Sequence, residues 1–195
     1  MSETQDGQAE PVDDALTRLN AELSGESDRA VVLIGTSMVE EALTGVLQAH
    51  LVPNPSASDT LFDGPNAPLA SFSNKIDCAF RMGVISSRFA RDLHLIRRIR
   101  NEFAHRAASC DLRDPQARNR IEELTKSHGI FERSPKKVKE EGSPSLKDQF
   151  VEAVSWMLYS LDIQRTKVSQ LNSRKPEFGY DFSYDEDYTA DSTET

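Results

Sequence analysis

The chain of 195 residues predicts an all-α fold, a helical bundle of about five to six helices with disordered acidic termini. Three observations carry that prediction. Apolar residues recur at three- and four-residue spacings in segment after segment. The one run that could be a buried strand, Val31-Val32-Leu33-Ile34, continues at helical spacing to Leu47 without a turn signal. The two ends are acidic and poor in aliphatic side chains, so neither can build a core. The domain reading is residues 1–10 as a disordered N-terminus, 11–172 as a single helical domain, and 173–195 as an acidic, aromatic-rich tail. No internal repeat has a period of about 20–50 residues, which argues against a solenoid.

The elements follow in order. Pro11 opens a short amphipathic segment with Val12, Ala15, Leu16, Leu19 and Leu23, which ends at Gly25. Ser27-Asp28 caps the most apolar stretch, Arg29 to Leu51. Its apolar residues wrap around more than one face, as expected of a central buried helix. Pro53-Asn54-Pro55 and Asp63-Gly64-Pro65-Asn66 mark a loop. A helix is predicted from Pro68 to Val84, stopping at Gly83, with Ser71 and Ser73 as caps rather than nucleophiles. Ser86-Ser87 caps a long helix to about Ala108, with Phe89, Leu93, Ile96 and Phe103 on one side. A short polar helix, Pro115 to Thr125, precedes a mobile connection at 128–145. Leu146 to Leu171 forms the last helix, with Trp156 in the core or at a dimer interface.

Charge is distributed unevenly. The formal net charge is −9, yet residues 1–14 hold five acidic residues and 178–195 hold six, with no Lys or Arg in either. Residues 15–177 therefore carry 21 acidic against 23 basic residues, a net +2, so the acidity belongs to the tails. A low overall pI does not then argue against a nucleic-acid partner. The N-terminus has neither a basic n-region nor an apolar h-region, and no apolar run approaches the ~20 residues of a span. A cytoplasmic location and no membrane partner are expected. Cys78 and Cys110 lack CxxC spacing, so no zinc site or disulfide framework is expected. Free thiols are the reading there, with a single bridge between them as the alternative. No glycine loop suited to phosphate is present, and no metal site or cofactor is expected.

One constellation can carry chemistry. From Arg81 to Arg106 there are seven arginines (81, 88, 91, 97, 98, 100 and 106) and two acids, Asp92 and Glu102. At about 100° per residue, His94, Arg98, Asn101 and His105 fall on one stripe. Arginine offers phosphate a planar fork of donors, and histidine titrates near neutral pH and can act as general acid or base. The candidate binding surface is therefore His94, Arg97, Arg98, Arg100, Asn101 and His105. The plainer reading stands beside it. Arginines on a helix are commonly a solvated face, Arg98 and Glu102 have pairing spacing, and a helical His–Asn pair can simply fix register. Glu40 and Glu41 lie in the apolar helix, and one is expected to turn inward and pair with an arginine of the basic helix.

The stretch Arg100-Asn101-Glu102-Phe103-Ala104-His105 resembles the RNxxxH motif of HEPN domains, all-helical and usually dimeric, whose active members are metal-independent ribonucleases. That resemblance implies Arg100 on the phosphate, His105 as general acid/base and Asn101 orienting them. A longer resemblance runs through Leu33-Ile-Gly-Thr-Ser-Met-Val-Glu-Glu-Ala-Leu43, Leu61-Phe-Asp-Gly64, Pro68 to Asp77, and Asp92 to His105. These look like successive blocks of the mannitol operon repressor (MltR) family, over roughly residues 29–110. It implies a helical regulator of carbohydrate utilisation without a helix-turn-helix, and none is found here.

Arg100 and His105, five residues apart, sit ~140° apart on a straight helix. An enzyme would need a bent helix or a second protomer. The expectation is thus an MltR-like regulatory or interaction module, a homodimer with a protein or nucleic-acid partner. The alternatives are a HEPN-type ribonuclease of toxin–antitoxin or phage defence and a purely structural helical protein.

Overall fold

The computed structural model describes residues 21, 23, 25–56, 58–105, 111–128 and 144–172. Among them the architecture is an all-α bundle without strands, as predicted. Five helices are described: α1 (Asp28–His50), α2 (Phe72–Arg81), α3 (Ser87–His105), α4 (Pro115–His128) and α5 (Leu146–Lys167). The predicted segment 11–23 is described only at Ala21 and Leu23. The N-terminus 1–10, the tail 173–195, Arg106, Cys110 and residues 129–143 of the expected connection lie outside the described residues.

Local chemistry sets the ends of each helix. Ser27 caps α1, its Oγ accepting from the Ala30 N–H at 3.2 Å, and Ser71 caps α2 in the same way through Asn74. Ser86 Oγ accepts from the Phe89 N–H at the start of α3. Ser145 and Asp148 form a reciprocal capping box on α5. Past the C-cap Met82, Gly83 takes a φ of 73°, the left-handed geometry that stops α2 and folds the chain back into α3. Helix ends differ from the sequence reading by a few residues. Pro68 to Ala70 form turns before α2, α4 runs on to His128, and residues 168–172 leave α5 as extended chain. Those last residues cross the end of α1, where the Leu171 N–H donates to His50 O at 2.7 Å and His50 Nδ1 contacts Ser169 O.

α1 is the centre. Val31, Val32, Val39, Leu43, Val46 and Leu47 are fully buried, and α1 packs against α2, α3 and α5. Lys147 reaches the Glu26 carbonyl at one end and Leu171 meets His50 at the other, so α5 runs parallel to α1. Contrary to the expectation that no run approaches a membrane span, α1 is long and apolar enough by length and composition to cross one, a property that a bundle's core helix shares. Its six buried apolar residues go into the bundle core, to which α3 and α5 contribute as many.

Gly35 shows how tight that core is. A Cβ there would meet Val154 at 3.4 Å and the Phe150 ring at 3.5 Å, whereas at Gly45 it would meet only the Arg165 chain. Gly35→Leu is therefore expected to cost about 2–3 kcal/mol by overpacking. Gly45→Ala is expected to gain a few tenths to about 1 kcal/mol from helix propensity. Urea denaturation of the two variants checks both signs.

Candidate functional site

α3 is built to bury one side and offer the other. Leu93, Ile96, Ile99 and Phe103 are buried and pack into the bundle. The polar residues between them divide into two groups, one neutralised by neighbours and one facing solvent.

The neutralised group lies against α4, which runs antiparallel to α3. Asp92 is 1% exposed. Its Oδ1 accepts from Arg91 Nη2 at 3.0 Å and its Oδ2 from Ser127 Oγ at 2.5 Å, and Ser127 Oγ in turn accepts from Arg88 Nε at 3.0 Å. One turn from the end of α3, Glu102 pairs with Arg120. A buried carboxylate is costly without donors, and here it has them. Ser127→Ala is expected to cost about 1.5–3 kcal/mol, because it removes a donor from a charged, buried acceptor. A shift of the urea midpoint at unchanged slope would register that loss. The sequence pointed to neither Asp92 nor Ser127. Their signal was an acid in the middle of an apolar face and a serine in the last turn of a polar helix, which means little before the helices are paired.

The solvent-facing group holds the predicted surface. Arg98, Arg100 and His105 are exposed, and His94, Arg97 and Asn101 are half-buried. The expected Arg98–Glu102 pair is absent, since Glu102 turns to Arg120 and leaves Arg98 without an ion pair among the described residues. Arg100 Nη1 donates to Asn101 Oδ1 at 3.1 Å. His94 is engaged differently, its Nε2 lying 3.2 Å from Asp77 Oδ1 of α2. Two polar atoms of this face, His94 Nδ1 and Arg97 Nε, are shielded from water and have no hydrogen-bond partner among the described residues. Among the described residues no hydrogen bond joins Asn101 to a histidine; Asn101 Oδ1 accepts from Arg100, and His105 is exposed.

α3 is helical through His105, so helical register sets Arg100 and His105 ~140° apart within one chain. Arg100 and Asn101 are hydrogen-bonded, and among the described residues no hydrogen bond joins His105 to either.

Glu40 meets the expectation in part. It is half-buried and paired, but its partner is Lys75 of α2 at 2.9 Å and not an arginine of α3. The reason is proximity, since α2 lies across that turn of α1. Glu41 is exposed. A groove of about 830 Å³ lies over this part of α1, lined by Met38, Glu41, Gly45, Lys75, Leu158 and Arg165 among others, and includes none of the α3 stripe. Trp156 is half-buried at the core edge, donating to Glu152 and packing edge-on against Tyr159 at 5.7 Å. Cys78 is a free thiol, and burial pushes its pKa up, which keeps it protonated and slow to react. Among the described residues, no group of three or more His, Cys, Asp or Glu is placed to hold a metal.

No family model, curated protein or solved structure matches this chain.

Proposed function

We propose that this protein is an MltR-like regulatory module that holds a phosphate-bearing polymer on the outer face of α3. The carrying observation is the division of the arginines. Arg88, Arg91 and Arg120 have acidic or hydroxyl partners, while among the described residues Arg98 faces water with no ion pair and Arg100 bonds only a neutral amide. Arg98 and Arg100 stand two residues and ~160° apart, at the two edges of the exposed side of α3, and guanidinium groups so placed suit a flexible nucleic acid that wraps the helix. Carbohydrate-operon control and a homodimer are what the MltR resemblance adds.

A ribonuclease is the second reading, favoured by the Arg100–Asn101 contact beside an exposed His105. Because Arg100 and His105 lie on different sides of α3, that reading requires a partner protomer to supply the opposing residue.

Fluorescence anisotropy with a labelled single-stranded RNA and a promoter-length duplex DNA, titrated between low and high salt, tests the proposal. Retention that weakens steeply with salt supports it, and no binding of either polymer at 50 mM salt defeats it. Incubation with an RNA pool in EDTA separates the readings. Cleavage by wild type and not by His105→Ala would establish the ribonuclease.

A further inference from the structure

We infer that the acidic C-terminal segment of this chain, residues 178–195, is an internal competitor for the basic face of α3. The inference rests on the proposed function and adds how the site is regulated. Charge complementarity is its first support. Asp181, Asp185, Glu186, Asp187, Asp191 and Glu194 stand in a segment without a single Lys or Arg. The outer side of α3 offers Arg97, Arg98 and Arg100 across ~160° of its circumference, of which Arg98 and Arg100 are exposed and Arg97 has a shielded Nε without a partner among the described residues.

The segment also copies a single-stranded nucleic acid in a second respect. Phe178, Tyr180, Phe182 and Tyr184 alternate with other residues, and Tyr188 follows. Flat rings interleaved with negative charge present guanidinium groups with both things a nucleotide chain offers, a π-face to stack on and an anion to bind. The competing ligand is thus a single-stranded polymer rather than a rigid duplex.

The length of chain beyond the described fold bounds the reach. The described chain ends at Asn172, tied beside His50 at the C-terminal end of α1. Thirteen residues separate Asn172 from Asp185, a span of up to ~43 Å when extended. α1 itself, with 23 residues, is ~34 Å long. A flexible tether of thirteen residues holds its charges at an effective concentration of at most the order of millimolar. A contact with an intrinsic dissociation constant of about 0.3 mM would then weaken external binding roughly 4- to 10-fold, with no large contact area needed.

The test uses the full chain throughout, with a labelled 20-nucleotide oligouridylate in EDTA. One variant neutralises the six acids of the tail as Asp→Asn and Glu→Gln. A second neutralises Glu3, Asp6, Glu10, Asp13 and Asp14, a nearly equal change of net charge at the other end. The tail variant is expected to bind roughly 4- to 10-fold more tightly than wild type at 50 mM salt, with the gap closing at 300 mM. The N-terminal variant is expected to gain less than 2-fold. Equal affinity of wild type and tail variant overturns the inference while leaving the proposed function standing. Equal gains from both variants overturn it as well, since net charge alone would then be the cause. Absence of binding by all three overturns the proposed function and the inference with it.

Discussion

Phe103→Ala is expected to lower stability by about 3–5 kcal/mol, because it empties one of the largest fully buried side chains of the bundle. For a domain of this size that corresponds to a fall in Tm of about 10 °C. His105→Ala, two residues on, is expected to shift stability by less than about 0.5 kcal/mol, since His105 is exposed. Thermal melts of the two variants side by side separate the two halves of the motif. A large loss from His105→Ala would restore the reading in which the motif is only a packing device.

Arg98→Glu with Arg100→Glu is expected to cost about 30-fold or more in affinity for single-stranded RNA at 50 mM salt. Two cations become anions on the face assigned to phosphate. The slope of log affinity against log salt should fall by ~1.4, about 0.7 for each phosphate of a single strand that is no longer neutralised. Tm should stay within a degree or two, since both side chains are exposed and neither has an ion-pair partner among the described residues. Arg91→Glu is the contrasting case. It places an anion beside buried Asp92, so stability should suffer whether or not affinity does.

The sequence was most legible where one rule acted alone. Periodicity placed α1 and α3, and the capping chemistry of Ser27 and Ser86 marked two helix starts within a residue or so, whereas the start expected at Pro68 falls four residues before α2. Apolar spacing left open whether Ile99 or Arg100 joins the buried side, and the fold buries Ile99 and leaves Arg100 facing water. Pairings between helices were not legible, because they depend on which turns meet. Glu102 has a suitable partner four residues back in Arg98, yet it reaches Arg120 across to α4. Glu40 finds Lys75 because α2 crosses that turn of α1. The Asp92–Ser127 contact joins residues 35 apart and exists only once α4 has packed antiparallel to α3. Those same choices leave Arg98 facing water without an ion pair among the described residues, so the character of the face follows from packing that sequence spacing does not encode.

The most direct measurement is a set of ¹H–¹⁵N spectra of the arginine Nε–Hε groups of the full chain, recorded as oligouridylate is added in EDTA. The Arg97 and Arg98 signals are expected to shift progressively to saturation, with Arg100 moving as its bond to Asn101 is exchanged for phosphate. Arg88, Arg91 and Arg120, held by Ser127, Asp92 and Glu102, are expected to stay in place. Stationary Arg97, Arg98 and Arg100 signals, with the oligonucleotide bound elsewhere or not at all, would contradict the assignment of the α3 face.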